Sequence, residues 1–388
     1  MSRVVIPDRE YKERAQRAAK LIRERGLDVL VVNGTESDYA NPRYFSGFWP
    51  VFERSGVAIN PAGETVLMVG PESDIFAADV GKIKDVFVML DYRESADPAY
   101  PHIKTKTFRD VFEHLRVKGD KIRIGVASIL DTNVVIWQGL QKAYPEAELV
   151  DAGDIMVALR SDKSEAEIAC LREAARITKL ATEAVIAAIR PGMTELQLVG
   201  IAQQTIYANG AEYEGLPMYC FSQASTKHAI SRSGYRQIQA GDIVQLNLSA
   251  KIDGYSPSIG MPISMGKLVG EKRRLVEFLW DMHKWTTEQL APGVPAAKIA
   301  REYEERFKAA GYGSAYVYGP CHGLGMIEVE APWMETSSTY ELRPNMTFQV
   351  DTFGMGSDFG VRWEKPVCIR EGGVELLSPE IGHIYEIE

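Results

Sequence analysis

The residues able to do chemistry lie on two stretches that echo each other. Gly241–Gly266 reads GDIVQLNLSAKIDGYSPSIGMPISMG, in which Ile243–Leu248 alternates apolar and polar residues and Gly254-Tyr255 separates it from a second short apolar run. This is the pattern of a strand, a turn and a strand. Met346–Gly354 reads MTFQVDTFG, so Gln245-x-Asn247 in the first stretch answers Gln349-x-Asp351 in the second, with an amide at one position and a carboxylate at the other. Asp351 and Glu364 each interrupt an apolar strand pattern, and Glu330 lies between them and His322. Three carboxyl groups sharing one cleft cannot all ionise unless a cation joins them, either a metal ion or a positively charged substrate. Of the six histidines, His114 and His283 fall in helical runs and His102 and His383 in polar loops, where a structural or surface role is expected. His322 sits in Cys321-His322-Gly323-Leu324-Gly325, whose glycines allow close backbone approach to a ligand, and His228 in a polar loop before the first central strand.

The elements that must position these residues repeat. Pro191-Gly192 opens a helical run ending at Gly210; Pro292-Gly293 opens another ending at Gly311, each 101 residues on. A histidine-bearing loop follows each run, and Asn247 and Asp351 then stand 104 apart. An internal duplication of this kind predicts a pseudo-two-fold domain with its site at the axis. Ser164 and Glu167 form a capping-box signature for a long helix from Ser164 to Arg190. Before it, helices are expected at Asp8–Arg25, Thr107–Lys118 and Thr132–Ala143. Strands are expected at Leu27–Asn33, Val86–Leu90, Ile122–Val126 and Ala147–Asp151, with a hairpin around Pro61-Ala62-Gly63. Tyr44–Trp49 reads as a loop or strand end. The boundary is set near Arg160, giving an α/β domain over 1–160 and a catalytic domain over 161–388.

Composition narrows the class. A chain of 388 residues exceeds one ordinary core, and 45% hydrophobic with 25% charged residues is a globular balance. The net charge of −9 and the lack of a basic run argue against nucleic acid. Cys170, Cys220, Cys321 and Cys368 are scattered, which suggests neither a disulfide framework nor a zinc knuckle. No apolar run reaches membrane-spanning length and the N-terminus is too polar for a signal peptide, so a cytoplasmic location is expected.

Gly241–Gly266, Cys321–Pro332 and Pro344–Leu377 resemble the creatinase/prolidase/methionine-aminopeptidase family, the "pita-bread" fold. The resemblance implies an α/β N-terminal domain and an α+β C-terminal domain with internal pseudo-two-fold duplication. The family's five metal ligands fall on Asn247, near Ser258, and on His322, Asp351 and Glu364. Its second pocket histidine falls on Val329, with Glu330 and Pro332 retained. Asn247 and Ser258 replace two aspartates that a two-metal site needs as bridging ligands. A single ion on His322, Asp351 and Glu364 stays open. Asn247 also matches the metal-independent creatinase branch, whose catalytic histidine falls at His228. The position of that branch's guanidinium-binding glutamate falls at about Gly260, which makes creatine a doubtful substrate and ectoine hydrolase an equally fair comparison. Phe45-Ser46-Gly47-Phe48 followed by Arg54 resembles the segment whose arginine reaches into a neighbouring subunit, which implies a homodimer with a shared site.

The expectation is a C–N hydrolase of a small cationic or zwitterionic molecule, with no cofactor, no metal, and neither nucleic acid nor membrane as partner. His228, Glu364 and Asp351 are the expected catalytic residues; Arg54, Asn247, His322, Glu330, Phe48 and Tyr255 are expected to hold substrate. An Xaa-Pro peptidase-like metallohydrolase with a reduced metal set, or a non-catalytic binding module on the same fold, are the alternatives.

Overall fold

The structure, a computed structural model, describes residues 3–378 and 384–388. His383 lies outside the described residues. The chain divides into two compact units, Ile6–Arg160 and Ser161–Glu388, the latter joined by the segment ending at Val5.

The first unit alternates helices and strands in the order α1 (Asp8–Glu24), β1 (Val29–Gly34), α2 (Ala40–Ser46), β2 (Ser55–Ile59), β3 (Thr65–Val69), α3 (Asp74–Val80), β4 (Val86–Val88), α4 (Phe108–His114), β5 (Arg123–Val126), α5 (Val134–Ala143), β6 (Glu148–Asp151) and α6 (Gly153–Ser161). The strands form a mixed sheet in the order β4-β3-β2-β1-β5-β6. Its face packs Val29, Val31, Met68 and Val126 against Tyr92, Phe108 and Phe112. The segment read as a loop at Tyr44–Trp49 is instead partly helical. Tyr44, Phe45 and Ser46 end α2, and Gly47 stops the helix in the left-handed region at φ 65°. Tertiary burial decides this: both aromatic rings are buried, and the Arg14 guanidinium donates to the Tyr44 carbonyl (2.9 Å). Helix α6 was not foreseen.

The second unit opens with α7 (Glu165–Ala188), whose Ser164–Glu167 capping box forms as expected. There follow α8 (Glu195–Ala208), β7 (Tyr213–Glu214), β8 (Tyr219–Ser222), β9 (Ile243–Lys251), β10 (Ser258–Ser264), α9 (Gly270–Gln289), α10 (Ala296–Ala309), β11 (Cys321–Gly323), β12 (Glu330–Met334), β13 (Thr347–Met355), β14 (Gly360–Arg370), β15 (Gly373–Leu376) and β16 (Tyr385–Glu386). Along the sheet, β11-β13-β14 meets β10-β9, with β8 on the far edge of β9. That order reads alike from both ends, since β9 and β13, and likewise β10 and β14, are repeat partners. The isolated bridges Thr194↔Gln237 and Pro295↔Glu341 recur at the same offsets. The two halves meet between β10 and β14. One face of the sheet packs Ile259, Met261, Val361 and Trp363 against Leu275, Val276 and Leu279 of α9. Strand alternation then turns Asn247, Asp351, Arg362 and Glu364 to the other face.

Candidate functional site

A single row of backbone partners crosses the junction: Tyr219, Asn247, Gly260, Glu364 and Asp351 lie side by side on five strands. Gly260 is the reason the row can close. A Cβ there would stand 2.6 Å from Asn247 Nδ2 and 2.7 Å from Glu364 Cβ. The space it leaves lets the Asn247 amide reach over and donate to Glu364 Oε2. Gln245 Nε2 donates to Asn247 Oδ1 (3.1 Å) and so fixes which end of that amide faces the carboxyl group. From the second repeat, Gln349 Nε2 lies 3.0 Å from Glu364 Oε1 and 3.2 Å from Glu328 Oε1, and also donates to Ser258. Both oxygens of Glu364 therefore face amide N–H donors.

Glu328 is the residue that the sequence reading missed. It is buried beside Glu364, and the two carboxyl groups are within hydrogen-bonding reach of each other. His322, buried on β11, sits 3.9 Å from Glu328 Oε1 and 3.8 Å from Glu364 Oε1 through Nε2. Its Nδ1 lies 3.0 Å from the Gly323 carbonyl, an arrangement that keeps the proton on Nδ1 and turns a lone pair on Nε2 toward the carboxyl groups.

Burial dominates the electrostatics. It pushes the Glu364 carboxyl up to about 8, with the charge of Glu328 adding to the rise. Glu328 is raised in the same way, although its hydrogen bond with Glu364 pulls it back. The pair thus holds one proton near neutrality, as two buried like charges must. Asp351 is pushed up to about 6 by burial, against the opposing pull of Arg362. Burial alone would lower Arg362, but Asp351 and the other nearby groups hold it above the ordinary guanidinium range. Its Nε lies 3.3 Å from Asp351 Oδ1, while Nη2 donates to Tyr318 Oη (2.6 Å) and to the Ala229 carbonyl (2.9 Å). Arg362 thereby joins Asp351 to the loop bearing His228. His228 follows the short 3₁₀ turn Gln223–Lys227, is exposed, and has Nδ1 3.2 Å from Ser231 Oγ.

The structure thus brings His322, Glu364, Asp351 and Asn247 together and sets His228 on a loop tied to them. Other expected contacts go elsewhere. Glu330 is turned from the carboxyl pair to Lys163, whose Nζ is 2.9 Å away. Glu328 and Glu330 alternate along the chain, and only the former faces Glu364. Tyr255 is buried and donates to Glu167 Oε1 (2.5 Å), serving the cap of α7 rather than a substrate. Phe48 is wholly buried in the first unit against Phe76. Arg54, expected at a neighbouring subunit's site, lies in the first unit and donates to the Arg93 carbonyl (2.9 Å) within its own chain. His283 is buried in α9, and His114 pairs with Asp85 (3.1 Å). A two-letter alternation of acids, IEVE over 327–330, was the signal that could have led to Glu328.

The donor set bears on whether a metal centre can form here. His322, Glu328 and Glu364 offer three ligand atoms within 4.8 Å of one another. Two ions do not fit. Asn247 turns its NH₂ group to Glu364, Ser258 Oγ is engaged by Gln349, and Asp351 is paired with a guanidinium. Asn247 and Ser258, where the resemblance expects bridging aspartates, thus carry neutral groups, and the remaining carboxylate of Asp351 already has a cation. One ion would have to displace the Gln349 amide from both carboxyl oxygens.

Comparison with known proteins places this architecture. The profile of metallopeptidase family M24 matches residues 169–371, and that of the creatinase/prolidase N-terminal domain matches 14–161. The Xaa-Pro dipeptidase of Pyrococcus furiosus is 23% identical over 95% of this chain and 98% of its own length. The creatinase of a Bacillus species is 26% identical over 62% of each chain. Among solved structures, the X-Pro aminopeptidase of Thermotoga maritima superposes with a TM-score of 0.81 at 21% identity, covering 96% of this chain and 99% of that one. The prolidase of Pyrococcus horikoshii does so with a TM-score of 0.81, also at 21% identity, covering 97% and 99%. Hydrolysis of C–N bonds, the class expected of the chain, is the class of this family. With the family profile matching over half of its length and the partner domain preceding it, the chain belongs to metallopeptidase family M24.

Proposed function

We propose that this protein hydrolyses a C–N bond of a small cationic or zwitterionic substrate without a metal ion. The observation that carries the reading is the pair of amide donors, from Asn247 and Gln349, on the two oxygens of Glu364. A carboxyl pair holding one proton keeps a single negative charge, the complement of an amidinium, guanidinium or ammonium group. Glu328 takes the part expected of Glu330, supplying the second carboxyl group that Gly260 cannot.

His228 acts as general base and then general acid. It takes a proton from water as the water oxygen bonds to the substrate carbon, and returns it to the nitrogen as the C–N bond breaks. The lone pair on His322 Nε2 orients the substrate beside the carboxyl pair, and Asp351, held by Arg362, supports the His228 loop. We also propose, from the creatinase resemblance, that Arg54 of a second copy binds a substrate carboxylate, so that the active form is a homodimer in the cytoplasm.

A second reading is favoured by one observation, the grouping of His322, Glu328 and Glu364 within 4.8 Å. It makes the chain a hydrolase with one ion, and its likeness to Xaa-Pro dipeptidases makes an Xaa-Pro peptide the substrate of that reading. A thermal-shift panel of guanidino acids, amidines, cyclic amides and Xaa-Pro dipeptides, run with and without chelator, separates the two. A cationic ligand that stabilises the chelated protein supports the first; stabilisation by Xaa-Pro dipeptides only when metal is present supports the second.

A further inference from the structure

We infer that Glu195 is a positioning residue that holds the His228 loop in its working shape; this rests on the acid/base role given to His228. Glu195 is the first residue of α8 and is 2% exposed. Its Oε1 accepts from Ser222 N–H (2.8 Å), Ser222 Oγ (2.7 Å) and Ser225 Oγ (2.7 Å), where the loop begins. Its Oε2 accepts from Gly234 N–H (2.8 Å), where the loop returns. One buried carboxylate therefore clasps both ends of the segment with His228 near its middle. Arg236 closes the clasp from outside, donating to Ser222 Oγ (2.7 Å) while paired with Asp242 (2.6 Å). Beyond the 3₁₀ turn Gln223–Lys227 the clasped segment has no regular structure, and it exposes Ile230.

The internal duplication separates this role from a merely structural one. The repeat partner of Glu195 is Ala296, at the same place in α10. The backbone link is the same in both halves: Glu195 N–H donates to the Arg236 carbonyl and Ala296 N–H to the Tyr340 carbonyl, each at 3.1 Å. The helix start and its bridge therefore form without a carboxylate. The carboxylate is found only in the half that carries the His228 loop. A buried carboxylate accepting four hydrogen bonds is replaced poorly even by an amide, because one end of the amide would turn a donor toward Gly234 or Ser222 N–H.

The test uses full-length Glu195→Gln and Glu195→Ala proteins, with Ser225→Ala as a milder variant should either fail to fold. Trypsin cleavage after Lys227 and Arg232 is timed in the native state, and the His228 ring signals are followed by NMR, assigned with His228→Ala. Loss of buried charged hydrogen bonds predicts cleavage at these two sites faster by about tenfold or more, with other sites unchanged. It also predicts His228 signals moved toward free-histidine positions. Unchanged cleavage and unchanged His228 signals would overturn the inference, and so would cleavage rising equally across the whole chain. Should His228→Ala retain full turnover, the proposed chemistry falls while the clasp, read by proteolysis and NMR, still stands or falls on its own result.

Discussion

Glu364 is the most tightly specified side chain in the site. It stands in a row of strand partners with Asn247, Gly260 and Asp351, receives an amide from each repeat, and shares a proton with Glu328. Its folded carboxyl holds a proton up to about 8, whereas the free group would release it near 4.5. Between those values the folded chain binds more protons than the unfolded one, so this group's contribution to stability is full below about 4.5 and is lost as pH rises to about 8. Glu364→Gln should flatten the fall in melting temperature across that window; a wild-type-like slope in the variant would remove the shared-proton picture. At His228 the expectation is kinetic. His228→Ala or His228→Asn should lower turnover by about 10²–10⁴-fold, while ligand affinity, which belongs to the carboxyl pair, changes far less. Normal turnover in either variant would move the acid/base role elsewhere. Asn247, His322, Asp351 and Glu364 were legible in the sequence because each sits at a fixed point of a strand pattern or beside glycines. Glu328 was not, since choosing between Glu328 and Glu330 depends on which residue of a loop entering β12 turns inward. Tyr255 and Phe48 were assigned to substrate because aromatic residues near a site motif look alike whether they line a pocket or fill a core.

At the scale of elements, the strand junction depends on the residue without a side chain. Gly260→Ala places a methyl group against Asn247 and Glu364, and overpacking of this kind costs about 1–3 kcal/mol. Chemical denaturation should show that loss, and it should be smaller in Gly260→Ala combined with Asn247→Ala, which frees the space. A double variant as unstable as the sum of its parts would mean that the crowding lies in the backbone. The repeat was readable because Pro-Gly pairs and glycine stops recur at a constant spacing and all four glycines adopt the left-handed conformation, with φ between 80° and 93°. The Ser164–Glu167 cap was readable for a similar reason, since its signature is local. Helix α2 was not: its residues are aromatic and polar in mixed order, and its formation depends on burial against α1.

At the scale of the whole molecule, the chain belongs to metallopeptidase family M24, and Asn247 and Ser258 stand where the resemblance led one to expect aspartates. The proposed shared site has its own test. A mixture of Arg54→Ala and His228→Ala chains should recover part of the activity that each lacks alone, because one of the two sites in a mixed dimer is intact. An active monomer by sedimentation at assay concentration would contradict it. The central claim, that the carboxyl pair serves a cationic substrate in place of two metal ions, meets its most direct test in calorimetric titration of chelator-treated protein with Mn²⁺, Co²⁺ and Zn²⁺, activity being followed in parallel. The account predicts that activity survives chelation with neither one nor two equivalents of metal bound per chain. One or two equivalents bound, with activity lost on chelation and restored in step with the metal's return, would contradict it.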